Sequence, residues 1–376
     1  MKKNYLDDTY EKINDYLIKN DYDVMVVTSY ENCYYLSGVF LYYNAVIIGK
    51  NKEPILLVKY IDRQLAKNSS LISNIRGYSP YKIENQGDII IGSYAESIAN
   101  IIKELGYEKG KICFADFWAV LRPYAELEKL LPEASLIIEE PLLEELRMIK
   151  FPHEIEMINK GIKLLDVTLS EISSLIKPGV AECEIAGEIA RSIWSRSGEL
   201  WHAIIASGKN SLLPHSKISN RKLEEKDNVV IDLVASNDTY YAGLTRTFVA
   251  GEPTKEQIEL YSILLETANH VYSTIRPGME IGEIARAATN YFDQKGYSKN
   301  IRHAFGHAIG TFPHEQPILN TSEKRILKEN MVFCFEPGIY VEGIGGFRLG
   351  DLIVMTPNGF RMLTENNRSL KPTAIK

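Results

Sequence analysis

The chain has 376 residues, long for one compact core, so two domains are expected. Its composition, 45% apolar with 24% charged residues, is that of a soluble globular protein. A net charge of −6 with no basic stripe excludes nucleic acid and anionic membrane surfaces as partners.

The cysteines Cys33, Cys113, Cys183 and Cys334 form no Cys-x-x-Cys pair, which points to reduced thiols and a cytoplasmic location. The first residues lack the apolar segment of a signal peptide. The longest apolar runs, at 45–49 and 229–231, fall far short of the roughly 20 residues a membrane span needs.

In chain order, Tyr10, Ile13, Tyr16 and Leu17 predict a helix over 9–20. Branched runs at 24–28, 45–49 and 54–58 predict strands, and the tyrosine pairs Tyr34-Tyr35 and Tyr42-Tyr43 are expected to pack on strands. A helix over 94–105, a strand over 111–114, a helix over 118–131 and a strand over 135–138 complete an α/β domain. A boundary is expected near Lys150-Phe-Pro152, where Pro152 suits the first turn of a long helix running to about Leu175. Long helices and glycine-punctuated strands then suggest α+β.

The second half repeats itself. Pro178-Gly179 precedes Glu184-Ile185-Ala186 as Pro277-Gly278 precedes Glu283-Ile284-Ala285, and the same offset carries Pro214-His215 onto Pro313-His314. A duplicated helix–helix–strand unit would deliver one histidine from each copy to a shared site.

The chemistry concentrates between His303 and Asp351. His303-Ala-Phe-Gly-His307, Pro313-His314-Glu315-Gln-Pro317, Glu336-Pro-Gly-Ile-Tyr340 and Gly345-Gly-Phe-Arg348-Leu-Gly350-Asp351 place imidazoles, a carboxylate and an arginine between tight turns. That is what a hydrolase cleft needs. A neutral imidazole such as that of His215 can take or give a proton near pH 7. Glu336 is expected to pair with His307 and Arg348 or to meet a cationic substrate group, since a buried carboxylate needs a partner. Arg348 could instead hold a substrate carboxylate in a forked contact. His303 is expected to support the site from behind. His153, His202 and His270 are read as structural, although Trp201-His202 could edge the pocket.

These passages, with Ile205-Ala-Ser207-Gly208-Lys-Asn210, Val230-Ile-Asp232 and Thr245-Arg246-Thr247, resemble the pita-bread family of prolidase, aminopeptidase P, methionine aminopeptidase and creatinase. Leu146-Arg-Met-Ile-Lys150 with Glu154-Ile-Glu156 is similar to the family's domain junction, and Asn32-Cys-Tyr-Tyr-Leu-Ser-Gly38 to its N-terminal domain. The resemblance implies a creatinase/prolidase-like α/β domain over 1–145 and an α+β pita-bread domain with an internal pseudo-twofold repeat over 146–376. It also implies a homodimer.

In the peptidases it resembles, two metal ions are held by two aspartates, a histidine and two glutamates. Carried over, Asp232, His307 and Glu336 remain, while the two bridging carboxylates fall on Gly243 and Gly350. Asp351 and Asp238 could be proposed as stand-ins, but Asp351 is a poor one, because one step along a strand points to the opposite face. Creatinase, the family's metal-free branch, also lacks both bridges. Its guanidinium-binding glutamate falls on Thr245, however, and its carboxylate-binding arginine has no counterpart in 40–44, so creatine is not the expected substrate.

The expectation is therefore a hydrolase that cleaves a C–N bond of a small molecule with no metal cofactor. His215 would be the acid/base, with His307, His314, Glu336 and Arg348 shaping the site. The alternatives are a Xaa-Pro dipeptidase or aminopeptidase that binds Mn, Co or Zn through an altered shell and takes a dipeptide, or a pseudoenzyme that binds a ligand without turnover.

Overall fold

The computed structural model describes residues 2–83, 89–115, 117–139, 141–364 and 368–371. The chain forms two compact units, Met1–Arg147 and Met148–Lys376.

The first unit is built on a seven-stranded sheet in the order β5-β4-β3-β2-β1-β6-β7. The strands are β1 (Val24–Val27), β2 (Ala45–Gly49), β3 (Ile55–Lys59), β4 (Asn74–Ser79), β5 (Ile89–Ile91), β6 (Lys111–Phe114) and β7 (Ser135–Ile138). β1 and β2 are buried along their whole length, which explains their unbroken apolar runs. The helices are α1 (Lys2–Lys19), α2 (Tyr30–Ser37), α3 (Arg63–Ser69), α4 (Tyr94–Glu104), α5 (Phe117–Leu130) and α6 (Pro141–Met148).

Tyr34 and Tyr35 depart from expectation, for they lie on α2 and not on a strand. The Ser29 hydroxyl caps the helix by accepting from the Asn32 amide at 3.3 Å, and Gly38 ends it at φ 70°. These two caps outweigh the β preference of the tyrosines. Tyr42 and Tyr43 are exposed in the loop before β2, where Tyr42 packs edge-on against Tyr30 and Phe40 and the Lys59 ammonium, at the end of β3, lies 3.9 Å from the Tyr43 ring centroid.

The second unit begins with α7 (Pro152–Ile172), whose Phe151 amide donates to the Glu154 carboxylate at 2.7 Å. Next come α8 (Glu182–Trp194) and an antiparallel sheet ordered β10-β9-β8, from β8 (Glu199–Ser207), β9 (Asn228–Asn237) and β10 (Tyr240–Val249). The second copy supplies α9 (Lys255–Thr274), α10 (Ile281–Gln294), β11 (Gly306–Ala308), β12 (Glu315–Ile318) and β13 (Val332–Phe335). β14 (Gly338–Val341) pairs with β15 (Gly345–Arg348), while β16 (Asp351–Thr356) and β17 (Gly359–Met362) extend a sheet ordered β12-β11-β13-β16-β17.

The repeat is physical. Gly179 and Gly278 both turn the chain at positive φ, 92° and 87°. Each donates its amide to a carbonyl shortly before a later strand, that of Leu223 before β9 at 2.8 Å and that of Leu327 before β13 at 2.9 Å. A side chain at these angles would be strained, so the Pro-Gly pairs read in the sequence mark equivalent turns into α8 and α10. The fold is the pita bread with a creatinase-type N-terminal domain. No described helix is long and apolar enough to cross a membrane.

Candidate active site

The two-residue period of a strand builds one wall of a cavity of about 220 Å³. His202 and Ile204 come from β8, Asp232 and Val234 from β9, and Gly243 from β10. The register sets Ile204 and Thr245 on either side of Asp232, and His202 and Gly243 on either side of Val234. The opposite wall carries His303, His307 on β11, Cys334 on β13, Glu336 just past it and Arg348 at the end of β15. His215 and His314, one from each copy of the repeat, complete the lining and are exposed.

Glu182 holds the loop that carries His215. Its buried carboxylate accepts from the Ser207 amide at 2.8 Å and hydroxyl at 2.7 Å, from the Asn210 amide group at 3.1 Å, and from the Ser219 amide at 3.1 Å and hydroxyl at 2.6 Å. Both ends of the loop are thus tied to one acid at the start of α8. Burial opposes the charge on Glu182, but these donors outweigh it and hold its pKa below the usual carboxylate value. Arg348 fixes the middle, donating to the Pro214 carbonyl at 3.0 Å and to Asp232 Oδ2 at 2.6 Å.

His307 faces two acceptors. Its Nδ1 lies 2.9 Å from the Ala308 carbonyl and its Nε2 3.1 Å from Glu336 Oε1. A ring with acceptors at both nitrogens is best satisfied when both carry protons. Burial works against that charge, but the bond to Glu336 and its negative charge outweigh burial and raise the His307 pKa. Burial likewise favours neutral Glu336, yet His307 and Arg348 hold it well below the usual carboxylate value.

The His314 ring lies over His307 with centroids 4.0 Å apart. Although the residue is exposed overall, its ring is partly desolvated against the cavity wall; that desolvation, and then the charge of His307, lower its pKa and favour the neutral ring. His303 is lowered by burial as well. Its Nδ1 faces the Ala304 carbonyl at 2.7 Å, which leaves Nε2 to accept from the Tyr340 hydroxyl at 2.8 Å.

The two glycines differ. A Cβ on Gly243 would find only the ends of Ile309, Cys334 and Val234, at 3.8, 3.9 and 4.0 Å. A Cβ on Gly350 would come within 2.7 Å of the Thr245 hydroxyl and 3.0 Å of the Thr245 backbone nitrogen. Among the described residues no group of three or more His, Cys, Asp or Glu side chains is placed to hold a metal ion.

One cavity therefore gathers His215, His307, His314, Glu336, Arg348, Asp232 and Gly243. Arg348 departs from expectation: its ion pair is with Asp232 at 2.6 Å, and it acts on Glu336 only through its charge. Asp351 is fully buried away from the cavity, between Arg246 at 2.9 Å and Arg368 at 2.8 Å. Asp238 is exposed in the turn joining β9 to β10. His202 does line the cavity, whereas His153 stacks on Phe151 and His270 packs at a tilt against Tyr291. Tyr340 and Glu182 were not singled out from sequence. Tyr340 ends the Glu336-Pro-Gly-Ile-Tyr340 motif, but Glu182 is legible only from contacts that the fold creates.

Comparison with known proteins agrees with this architecture. Residues 156–357 match metallopeptidase family M24, and residues 10–149 match the creatinase/prolidase N-terminal domain. The chain is 30% identical over 365 residues to a Xaa-Pro dipeptidase of Pyrococcus horikoshii, covering 96% of this chain and 97% of the relative. The prolidase structure from that organism superposes with a TM-score of 0.86 at 28% identity, over 96% of this chain and 99% of that one. A Xaa-Pro dipeptidase structure from Bacillus anthracis superposes with a TM-score of 0.87 at 26% identity, over 97% and 99%.

Proposed function

The chain belongs to metallopeptidase family M24, and from that premise we propose that its site hydrolyses a C–N bond of a small molecule without a metal ion. The observation that carries this reading is the pair Gly243 and Gly350, standing where the peptidases it resembles place their bridging carboxylates. Glycine supplies no donor, and the Gly350 position is closed by Thr245. The remaining donors are Asp232, His307 and Glu336, and catalytic zinc sites take about three protein ligands for each ion. In our reading this set does not fit a pair of metals.

His215 is the acid/base. It takes a proton from water as the water oxygen adds to the carbon, and returns that proton to the nitrogen as the C–N bond breaks. The His307–Glu336 pair and Arg348 present fixed charge to the reacting group, and neutral His314 can exchange a proton beside them. The four cysteines are free, which supports a reducing, cytoplasmic setting.

The end-to-end likeness to a Xaa-Pro dipeptidase favours a second reading, a dipeptidase that binds Mn, Co or Zn through other ligands. The test is a panel of amide, amidine and Xaa-Pro substrates assayed with and without chelator. Turnover that resists chelation and is lost in His215→Ala supports the proposal. Dipeptide cleavage abolished by chelator supports the second reading, and no turnover with tight ligand binding marks a pseudoenzyme.

A further inference from the structure

We propose that Lys150 and Glu315 are positioning residues for His314, forming a buried ion pair that fixes the turn which carries that histidine into the cavity. Lys150 Nζ lies 2.7 Å from Glu315 Oε2, and the two side chains are 1% and 2% exposed. The other carboxylate oxygen, Oε1, accepts from the Thr311 hydroxyl at 3.3 Å and the Phe312 amide at 3.1 Å. Glu315 thus closes the segment 311–315 on itself while Lys150 holds it from outside. Gly310 is part of the closure, since a Cβ there would lie 2.8 Å from both Glu315 oxygens.

The anchor is rigid at both ends. Lys150 donates its amide to the Asn330 carbonyl at 3.0 Å, beside the bridge between Ile149 and Met331. One helical turn on, Glu154 accepts from Tyr240 at 2.9 Å, and the next residue, Tyr241, donates its amide to the Gly310 carbonyl at 2.8 Å. The start of α7, the start of β10 and the 310–315 turn are therefore one connected network, and His314 is covalently next to its central acid. A buried charge pair is a poor source of net stability compared with apolar packing. It does fix direction, and here the direction fixed is that of a ring lying 4.0 Å from His307.

The full chain, labelled with carbon-13 histidine, tests this without a substrate, so its failure is separable from that of the proposed reaction. The His314 signal is assigned by its loss in His314→Asn. In the double variant Lys150→Met/Glu315→Gln, which leaves neither partner charged and alone, the His314 signal is expected to move. Its cross-peak to the His307 ring is expected to disappear, with the His270 signal unchanged. Thr311→Val, which removes one donor to Glu315, gives the same reading on a smaller scale should the double variant not fold. A folded variant whose His314 and His307 signals superpose on those of the wild type would overturn the proposal.

Discussion

Thr245 and Gly350 face each other across an isolated bridge, exchanging backbone hydrogen bonds of 3.3 and 2.9 Å, and no side chain fits on Gly350 unless Thr245 moves. Gly243, two residues earlier on β10, has room for a Cβ, which would meet Ile309, Cys334 and Val234 at ordinary contact distances of 3.8, 3.9 and 4.0 Å. The two glycine positions are therefore unequal. Gly243→Ala is expected to fold with little loss, whereas Gly350→Ala costs about 1–3 kcal/mol through overpacking. Urea denaturation of the two variants measures the difference, and equal stability would contradict this account of the bridge.

His215 is exposed and borders the cavity, so its removal should leave the fold intact. His215→Ala is expected to lower turnover by about 10²–10⁴-fold, the usual contribution of a general acid/base. Thermal unfolding should be unchanged. A variant that keeps wild-type turnover would place the proton transfer elsewhere, with His314 the next residue to substitute.

Arg348 and Asp232 form a pair whose side chains are 4% and 13% exposed. Arg348→Met leaves the Asp232 carboxylate without its guanidinium and the Pro214 carbonyl without a donor. Breaking one side of a buried pair typically costs about 3–5 kcal/mol. Adding Asp232→Asn is expected to recover part of that loss. Chemical denaturation of the single and double variants reads this directly, and a single variant as stable as the wild type would mean that the pair orients side chains only.

Glu154 is fully buried, and burial lifts its pKa from 4.5 to about 7 against the opposing pull of Lys150 and its hydrogen bonds. An acid whose folded pKa is raised contributes stability that is present below its unfolded value and is lost as the pH climbs through the folded one. The stability advantage of the wild type over Glu154→Gln should therefore shrink between pH 5 and pH 8. Melting temperatures of both proteins across that range provide the check, and a constant difference would mean that Glu154 does not change charge there.

Most of the architecture was legible because it is written in local signals. The Pro-Gly turns at 178–179 and 277–278 announced the repeat, and the unbroken apolar runs of β1 and β2 announced buried strands. The helix over 30–37 was not legible because Tyr34 and Tyr35 favour a strand by residue type, while the caps that settle it, Ser29 and Gly38, lie at its two ends. In the site, motif order put the histidines, Glu336 and Arg348 in one place, but pairing is a matter of three dimensions. Nothing in the spacing of 232 and 348 told that these two would meet, or that Glu182 would gather the His215 loop. Nor could spacing distinguish the open Gly243 from the closed Gly350.

The central claim is that this chain needs no metal. The direct measurement is elemental mass spectrometry of the purified full chain after soaking in Mn, Co or Zn and desalting. The account predicts a metal content near zero. Two equivalents per chain would contradict it, and would mean that ligands other than Asp232, His307 and Glu336 rebuild a dinuclear peptidase centre.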